Sequence, residues 1–142
     1  MTMEVKIVKD EQGLADTFEV RKKVFIEEQN VPEDEEIDEF ESGSTHFILY
    51  LDGIPSGAGR FRILDGAGKV ERICVLQSAR NTGAGTAIMD KIEEYAKSKS
   101  TETLKLNAQT QAIPFYEKLG YQIVSEEFMD AGIPHRTMKK SL

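Results

Sequence analysis

The chain has 142 residues with an ordinary apolar fraction, enough to bury a core and few enough to expect a single domain over residues 1–142. No apolar run approaches the ~20 residues that cross a bilayer, the first ten residues lack the apolar stretch of a leader, and a formal net charge of −7 argues against wrapping a nucleic-acid backbone. The single cysteine, Cys74, can form no internal disulfide and suits a reducing compartment, so we expect a cytoplasmic protein that binds neither membrane nor nucleic acid.

Residues 3–8 alternate polar and apolar, with Met3, Val5 and Ile7 on one face, and predict a first strand. Asp10 is the N-cap candidate for a helix over residues 11–28, in which Leu14, Phe18, Arg21 and Phe25 recur at three- and four-residue steps. That helix should fray by Asn30-Val31-Pro32, because proline disfavours helical geometry at the residue before it. Residues 45–51 are strand-like, Asp52-Gly53 signals a hairpin, and residues 54–63 answer as the return strand. Gly57 and Gly59 weaken the return strand and suggest a bulge or a close packing contact. After the turn Asp65-Gly66-Ala67-Gly68, residues 69–76 make a fourth strand, in which Cys74 reads as a buried thiol. A helix follows over residues 84–97, with Ile88, Ile92 and Tyr95 on one face and Asp90, Glu93, Glu94 and Lys97 on the other. Residues 103–108 form a short strand and residues 113–119 a short helix stopped by Gly120. Residues 121–124 and 136–139 supply two last strands, joined by a loop carrying Asp130, Gly132 and Pro134. The order β-α-β-β-β-α-β-α-β-β is α/β (α+β) in class, with an antiparallel first half.

Charge is spread unevenly. Between Lys23 and Arg60 there is no lysine or arginine, while Glu27, Glu28, Glu33, Asp34, Glu35, Glu36, Asp38, Glu39 and Glu41 crowd together. Such a run is expected as a solvated loop, and its sharper reading is a negative field at the mouth of a site that collects a cationic acceptor such as an amine.

Residues 77–87 lie between the fourth strand and the helix that follows it, and include Arg80, Asn81, Thr82, Gly83, Ala84, Gly85 and Thr86. A glycine-rich strand-to-helix turn exposes several backbone N–H groups at once, since the first turn of a helix leaves its donors without internal partners. A Walker-type loop would need a lysine after its second glycine, which is missing here. A dinucleotide turn would need a small residue where Ile88 stands, and would come early in a βαβ unit. The remaining pattern, Arg-x-x-Gly-x-Gly over Arg80 to Gly85, resembles the acetyl-coenzyme A pyrophosphate loop of the GNAT (GCN5-related) N-acetyltransferases. A second segment is similar to the same family: Leu-Lys-Leu-Asn-Ala-Gln over 104–109, then Ala112-Ile113-Pro114-Phe115-Tyr116 and Gly120-Tyr121. The stretches over 21–29, 106–109 and 130–135 resemble its ElaA-like branch.

The resemblance covers the whole chain and implies the GNAT acyl-CoA N-acyltransferase fold, with a mixed, mostly antiparallel central sheet flanked by helices and strands four and five splayed around a pantetheine arm. It implies acetyl-coenzyme A as co-substrate, transfer of an acetyl group to a primary amine of a small molecule or peptide, and no metal. By the same resemblance, residues 80–86 hold the diphosphate, Ile73, Cys74 and Val75 place their main chain near the thioester carbonyl, and Asn107, Ala112, Phe115 and Tyr116 complete the cofactor site. Tyr116 is the expected proton donor to the departing thiolate, since a phenol of pKa ~10 can give up its proton as sulfur becomes basic. An alkyl amine, at pKa ~10.4, must lose a proton before attack, and Glu71 and His135 are the base candidates, with Glu28 as an acceptor contact. His46 reads as structural. A homodimer is a further expectation. Two other readings stand: a non-catalytic coenzyme A-binding domain of the same fold, and an acyl-homoserine lactone synthase, against which the loop and the absence of tryptophan argue.

Overall fold

A computed structural model describes residues 2–142, and its strands and α-helices follow the expected order with two additions, a short helix at Glu33–Glu36 and a short strand at Phe128–Asp130. The strands are β1 (Met3–Ile7), β2 (Thr45–Leu51), β3 (Ile54–Leu64), β4 (Ala67–Val75), β5 (Thr103–Gln109), β6 (Gln122–Ile123), β7 (Phe128–Asp130) and β8 (Ile133–Ser141). The helices are α1 (Glu11–Arg21), α2 (Glu33–Glu36), α3 (Ala84–Ser98) and α4 (Ile113–Lys118). The strands form one sheet in the order β1-β2-β3-β4-β5-β8-β6, with β7 on β8, and β4 beside β5 is its parallel pair.

Local chemistry explains most boundaries. The Asp10 side chain accepts a 2.7 Å bond from the Gly13 amide and starts α1. Asp52-Gly53 and Asp65-Gly66 turn with both residues at positive φ, the geometry that two-residue hairpins favour. Where the sequence suggested one long helix to residue 28, α1 gives way at Lys22 to a wider π-type turn over Lys22–Glu28, closed by the Gln29 amide on the Val24 carbonyl at 3.1 Å. The expected loop before β8 is instead the hairpin β7–β8, tightened by Ala131 and Gly132 at positive φ, so that β8 begins at Ile133.

The core lies mainly under α3. Ile88 and Ile92 are fully enclosed against Phe47, Leu49, Phe61, Val70, Leu104 and Leu106, and each such side chain stabilises the fold by roughly 1.5–3 kcal/mol. Tyr95 sits edge-on between Phe47 and Phe61. This packing explains the glycines of β3: a Cβ on Gly57 would lie 2.8 Å from the Ile88 side chain, and one on Gly59 would lie 2.9 Å from Ile73. The expected bulge is present too, since β3–β4 pairing slips between Ala58 and Arg60 and Arg72 stands at φ +58. On the other sheet face α1 buries Arg21 of the expected stripe together with Thr17 and Val20, while Leu14, Phe18 and Phe25 are only half-buried.

Candidate active site

Parallel pairing of β4 with β5 ends at Val70–Leu106, although β4 runs on to Val75 and β5 to Gln109. Beyond that point the strands part, and the backbone groups of β4 on that side have no neighbouring strand. The gap opens into a cleft of about 870 Å³. Its walls bring together Glu28, Glu71, Ile73, Cys74, Val75, Arg80, Asn107, Ala112, Tyr116 and His135 from the residues singled out in the sequence. Phe115 and residues 81–86 do not line it; residues 81–86 build the turn at the head of α3, and Phe115 of α4 packs against Gly85 there.

That turn is shaped by backbone conformation. A single 3-10 turn, Gln77–Ala79, follows β4, Asn81 and Gly83 take φ of +63 and +87, and α3 begins at Ala84 with no side chain capping it. Thr82 donates its hydroxyl to the Ala79 carbonyl at 2.5 Å, which braces the loop from within. Gly85 lets the first turn of α3 approach Phe115, whose ring would lie 3.1 Å from a Cβ there. The amides of this first helical turn are left as an anion cradle, and the loop residues present fit a diphosphate.

Arg80, the cation expected at that cradle, is already partnered. It grips the Glu28 carboxylate with both terminal nitrogens, at 2.8 and 2.6 Å, and places Nε on the Val75 carbonyl at 3.1 Å. The same contact holds the Glu28 carboxyl below the usual glutamate range. Glu28 and a diphosphate would therefore compete for one guanidinium. Replacing Glu28 by glutamine is expected to tighten coenzyme A binding about threefold, and replacing Arg80 by alanine to weaken it about tenfold, both measured by isothermal titration.

The chemical groups on the cleft wall differ sharply in their surroundings. Tyr116 is buried, and desolvation pushes its phenol up, which keeps the hydroxyl protonated. Desolvation likewise pushes the Cys74 thiol up to about 12, so this sulfur is no nucleophile at neutral pH. Glu71 takes Arg62 at 2.7 Å and Arg60 at 3.0 Å; against the pull of burial, these two cations lower its pKa. A carboxylate so neutralised is a weak base. His135 is buried, stacks on Phe128, and places Nδ1 2.7 Å from the Ile133 carbonyl. Because a carbonyl can only accept, Nδ1 carries the hydrogen, and the neutral ring keeps its lone pair on Nε2. Asn107 accepts from the Thr137 hydroxyl at 2.8 Å, which orients its amide. His46, also buried, bonds the Glu41 carbonyl and packs against Phe18, as a structural histidine does.

The acidic run is not a solvated loop. Glu36, Asp38 and Glu41 turn inward onto arginines from elsewhere in the chain: Arg21 binds Glu36 at 2.6 Å and Glu41 at 2.8 Å, Arg60 binds Asp38 at 2.8 Å, and Arg72 reaches Glu36 and Asp38. Arg21 and Arg60 are each 1% exposed, so this network is a second core made of charge. Sequence reading missed Arg60 and Arg62, and offered Arg72 as a surface partner for Glu71, whereas it pairs with Glu36 and Asp38. The available signal was a long acidic run without a local cation, together with an arginine at a core-facing position of the first helix. Glu33, Asp34, Glu35 and Glu39 remain exposed, and the last three line the cleft.

The family model for the acetyltransferase (GNAT) domain matches residues 7–142, and the chain belongs to that family. YjcF of Bacillus subtilis (strain 168), an uncharacterized N-acetyltransferase, is 53% identical over 139 residues, covering 97% of this chain and 99% of its own. Among solved structures, Escherichia coli ElaA superposes with a TM-score of 0.86 at 21% identity, over 98% of this chain and 99% of ElaA. A GNAT family acetyltransferase from Elizabethkingia anophelis with acetyl-CoA bound superposes with a TM-score of 0.76 at 13% identity, over 99% of this chain and 98% of its own. These two structures share the fold: a mixed α/β GNAT acyl-CoA N-acyltransferase architecture, its mostly antiparallel sheet flanked by helices.

Proposed function

We propose that the protein transfers the acetyl group of acetyl-coenzyme A to the amine of a small molecule or peptide by direct attack on the thioester. The observation that carries this reading is the parting of β4 from β5 beside an uncapped, glycine-opened start of α3, because a slot and an anion cradle in that order suit a long thiol ester ending in a diphosphate. Bound there, the co-substrate supplies an activated acetyl group. Residues 80–86 hold the diphosphate with Phe115 packed behind Gly85, the main chain of Ile73–Val75 faces the thioester, and Asn107 and Ala112 bound the arm.

His135 is the favoured base, because the Ile133 carbonyl fixes its hydrogen on Nδ1 and leaves Nε2 to accept the amine proton. Glu71 then contributes a fixed charge rather than proton transfer, since Arg60 and Arg62 already claim its oxygens. Tyr116 serves the departing sulfur. With its phenol raised by burial it acts as a hydrogen-bond donor to the thiolate more than as a full acid, because a thiol of pKa ~8.5 holds its proton less firmly than this phenol. Tyr116→Phe is therefore expected to lower kcat by about tenfold to a hundredfold with little change in the KM for acetyl-coenzyme A, and His135→Ala to lower kcat by about a hundredfold at neutral pH. The reading as a whole is tested by incubating the protein with acetyl-coenzyme A and a mixed amine pool and following free thiol. Release above the amine-free control supports it; binding without release would leave a coenzyme A-binding domain without chemistry.

A further inference from the structure

Arg62 on β3, Lys69 on β4, Lys105 on β5 and Lys139 on β8 are successive cross-strand partners: Arg62 faces Lys69, Lys69 faces Lys105, and Lys105 faces Lys139. Directly paired residues project from the same side of a sheet, so four cations form one row across four strands of a chain whose net charge is −7. Like charges placed directly opposite one another destabilise a sheet. The row is not neutralised from within. Arg62 is taken up by Glu71, but the lysines in ion pairs among the described residues are Lys6, Lys23, Lys91 and Lys140, none of them in the row.

Lys69 is half-buried and lines the cleft next to Glu71 and Asn107, with Lys105 behind it. Burial pushes its ammonium group down; Glu71 and Asp130 draw it the other way, while Lys105 and Arg62 add to the repulsion. The cleft thus has two poles. Asp34, Glu35 and Glu39 are exposed on one wall, and Lys69 stands at its foot with its cross-strand partner Lys105 behind it. An ammonium group suits the first pole and an anion the second.

We propose that the acceptor is zwitterionic, with an anionic group that docks on Lys69 and Lys105 while its amine faces the acidic wall and the acetyl donor. This rests on the acetyltransferase reading above. Lys69 stands four residues before Ile73, and at ~3.3 Å per strand residue the acid and the reacting nitrogen are separated by on the order of 10 Å. That is about the span of three extended residues, longer than a simple amino acid. It fits a short peptide with an acidic third residue or a long ω-amino acid.

The test compares matched acceptors at saturating acetyl-coenzyme A: the amidated tripeptides Ala-Ala-Glu and Ala-Ala-Gln, and 8-aminooctanoate with octylamine. The acid-bearing member of at least one pair is expected to have about tenfold higher kcat/KM or more, the worth of one charge-assisted contact, and the favoured pair identifies the source of the anion. In Lys69→Met/Lys105→Met that preference should vanish through KM while the KM for acetyl-coenzyme A stays unchanged, and Lys69→Arg should retain it. The double variant removes repulsion and should melt no lower than the parent, so misfolding does not cloud the result. Equal or better use of the neutral members, or a preference that survives the double variant, overturns the proposal. If no acceptor turns over, N-acetylated Ala-Ala-Glu amide must still bind the coenzyme A-loaded protein more tightly than its Gln counterpart, and equal binding overturns the proposal equally. A protein that fails to bind acetyl-coenzyme A at all would instead remove the reading beneath it.

Discussion

Replacing Gly83 by aspartate is expected to weaken coenzyme A binding at least about a hundredfold, roughly 2.7 kcal/mol, measured by isothermal titration. Two effects add. Gly83 stands at φ +87, where a residue with a Cβ costs about 1–3 kcal/mol, and the new carboxylate would place an anion where the helix start presents its donors to one. Beyond Gly83 and its immediate chain neighbours, no atom lies within 4 Å of the position of a Cβ there, so tertiary collision plays no part. Gly83→Ala therefore isolates the conformational share and should weaken binding by about tenfold. If the aspartate variant bound coenzyme A as the parent does, residues 80–86 would not be the diphosphate loop.

The second large effect concerns stability. Arg21→Met is expected to destabilise the protein by about 3–5 kcal/mol in urea unfolding, because it takes the closer of two arginines from both Glu36, which is 3% exposed, and Glu41, leaving them only Arg72 and Arg60 at 3.1 Å. Against a total stability of about 5–15 kcal/mol, that loss brings the fold close to melting at ambient temperature. Arg21→Met combined with Glu36→Leu should recover part of it, since replacing a whole buried pair by apolar groups is far less damaging than orphaning one member. The same network sets the response to acid. Burial alone would raise the Glu41 pKa, but its bonds from Arg21 and the nearby charge of Arg60 bring it down to about 2. A carboxyl whose folded pKa is depressed stabilises fully above its unfolded value, near ~4.3, and loses that contribution as pH falls toward the folded one. Thermal melts should therefore decline between about pH 4 and pH 2, and less steeply in Glu41→Gln, which starts lower.

The fold was largely legible because its signals are local. Alternation in β2, the Asp-Gly turns, the Asp10 cap and the stripe of α3 each report on a few neighbouring residues, and the glycine loop with the Asn107 and Phe115-Tyr116 segments fixes the family. What escaped depends on partners distant in the chain. Arg21 and Phe18 both fall on the helical stripe, yet the arginine is the one fully enclosed, because carboxylates fifteen and twenty residues later close over it. The acidic run reads as solvated for the same reason: its cations come from α1, β3 and β4. The Glu28–Arg80 contact spans 52 residues and joins an expected acceptor contact to an expected diphosphate ligand. The β7–β8 hairpin turns on Ala131 at positive φ, a conformation alanine does not advertise.

The wide turn at Lys22–Glu28 has a consequence for how this wall of the cleft is aimed. Beyond it Glu28 reaches Arg80, on the β4 side of the split, and Gln29 exchanges amide bonds with Gln109, on the β5 side, at 2.9 and 3.3 Å. An α-helix advances by 3.6 residues per turn, so one residue more or fewer rotates everything after it by roughly 100°. Shortening this segment by a single residue would swing both fingers away from the arms they straddle while leaving every partner in place. The bearing of this side of the cleft is thus held by a count, indifferent to many exchanges on the outer surface of α1 and intolerant of one lost codon.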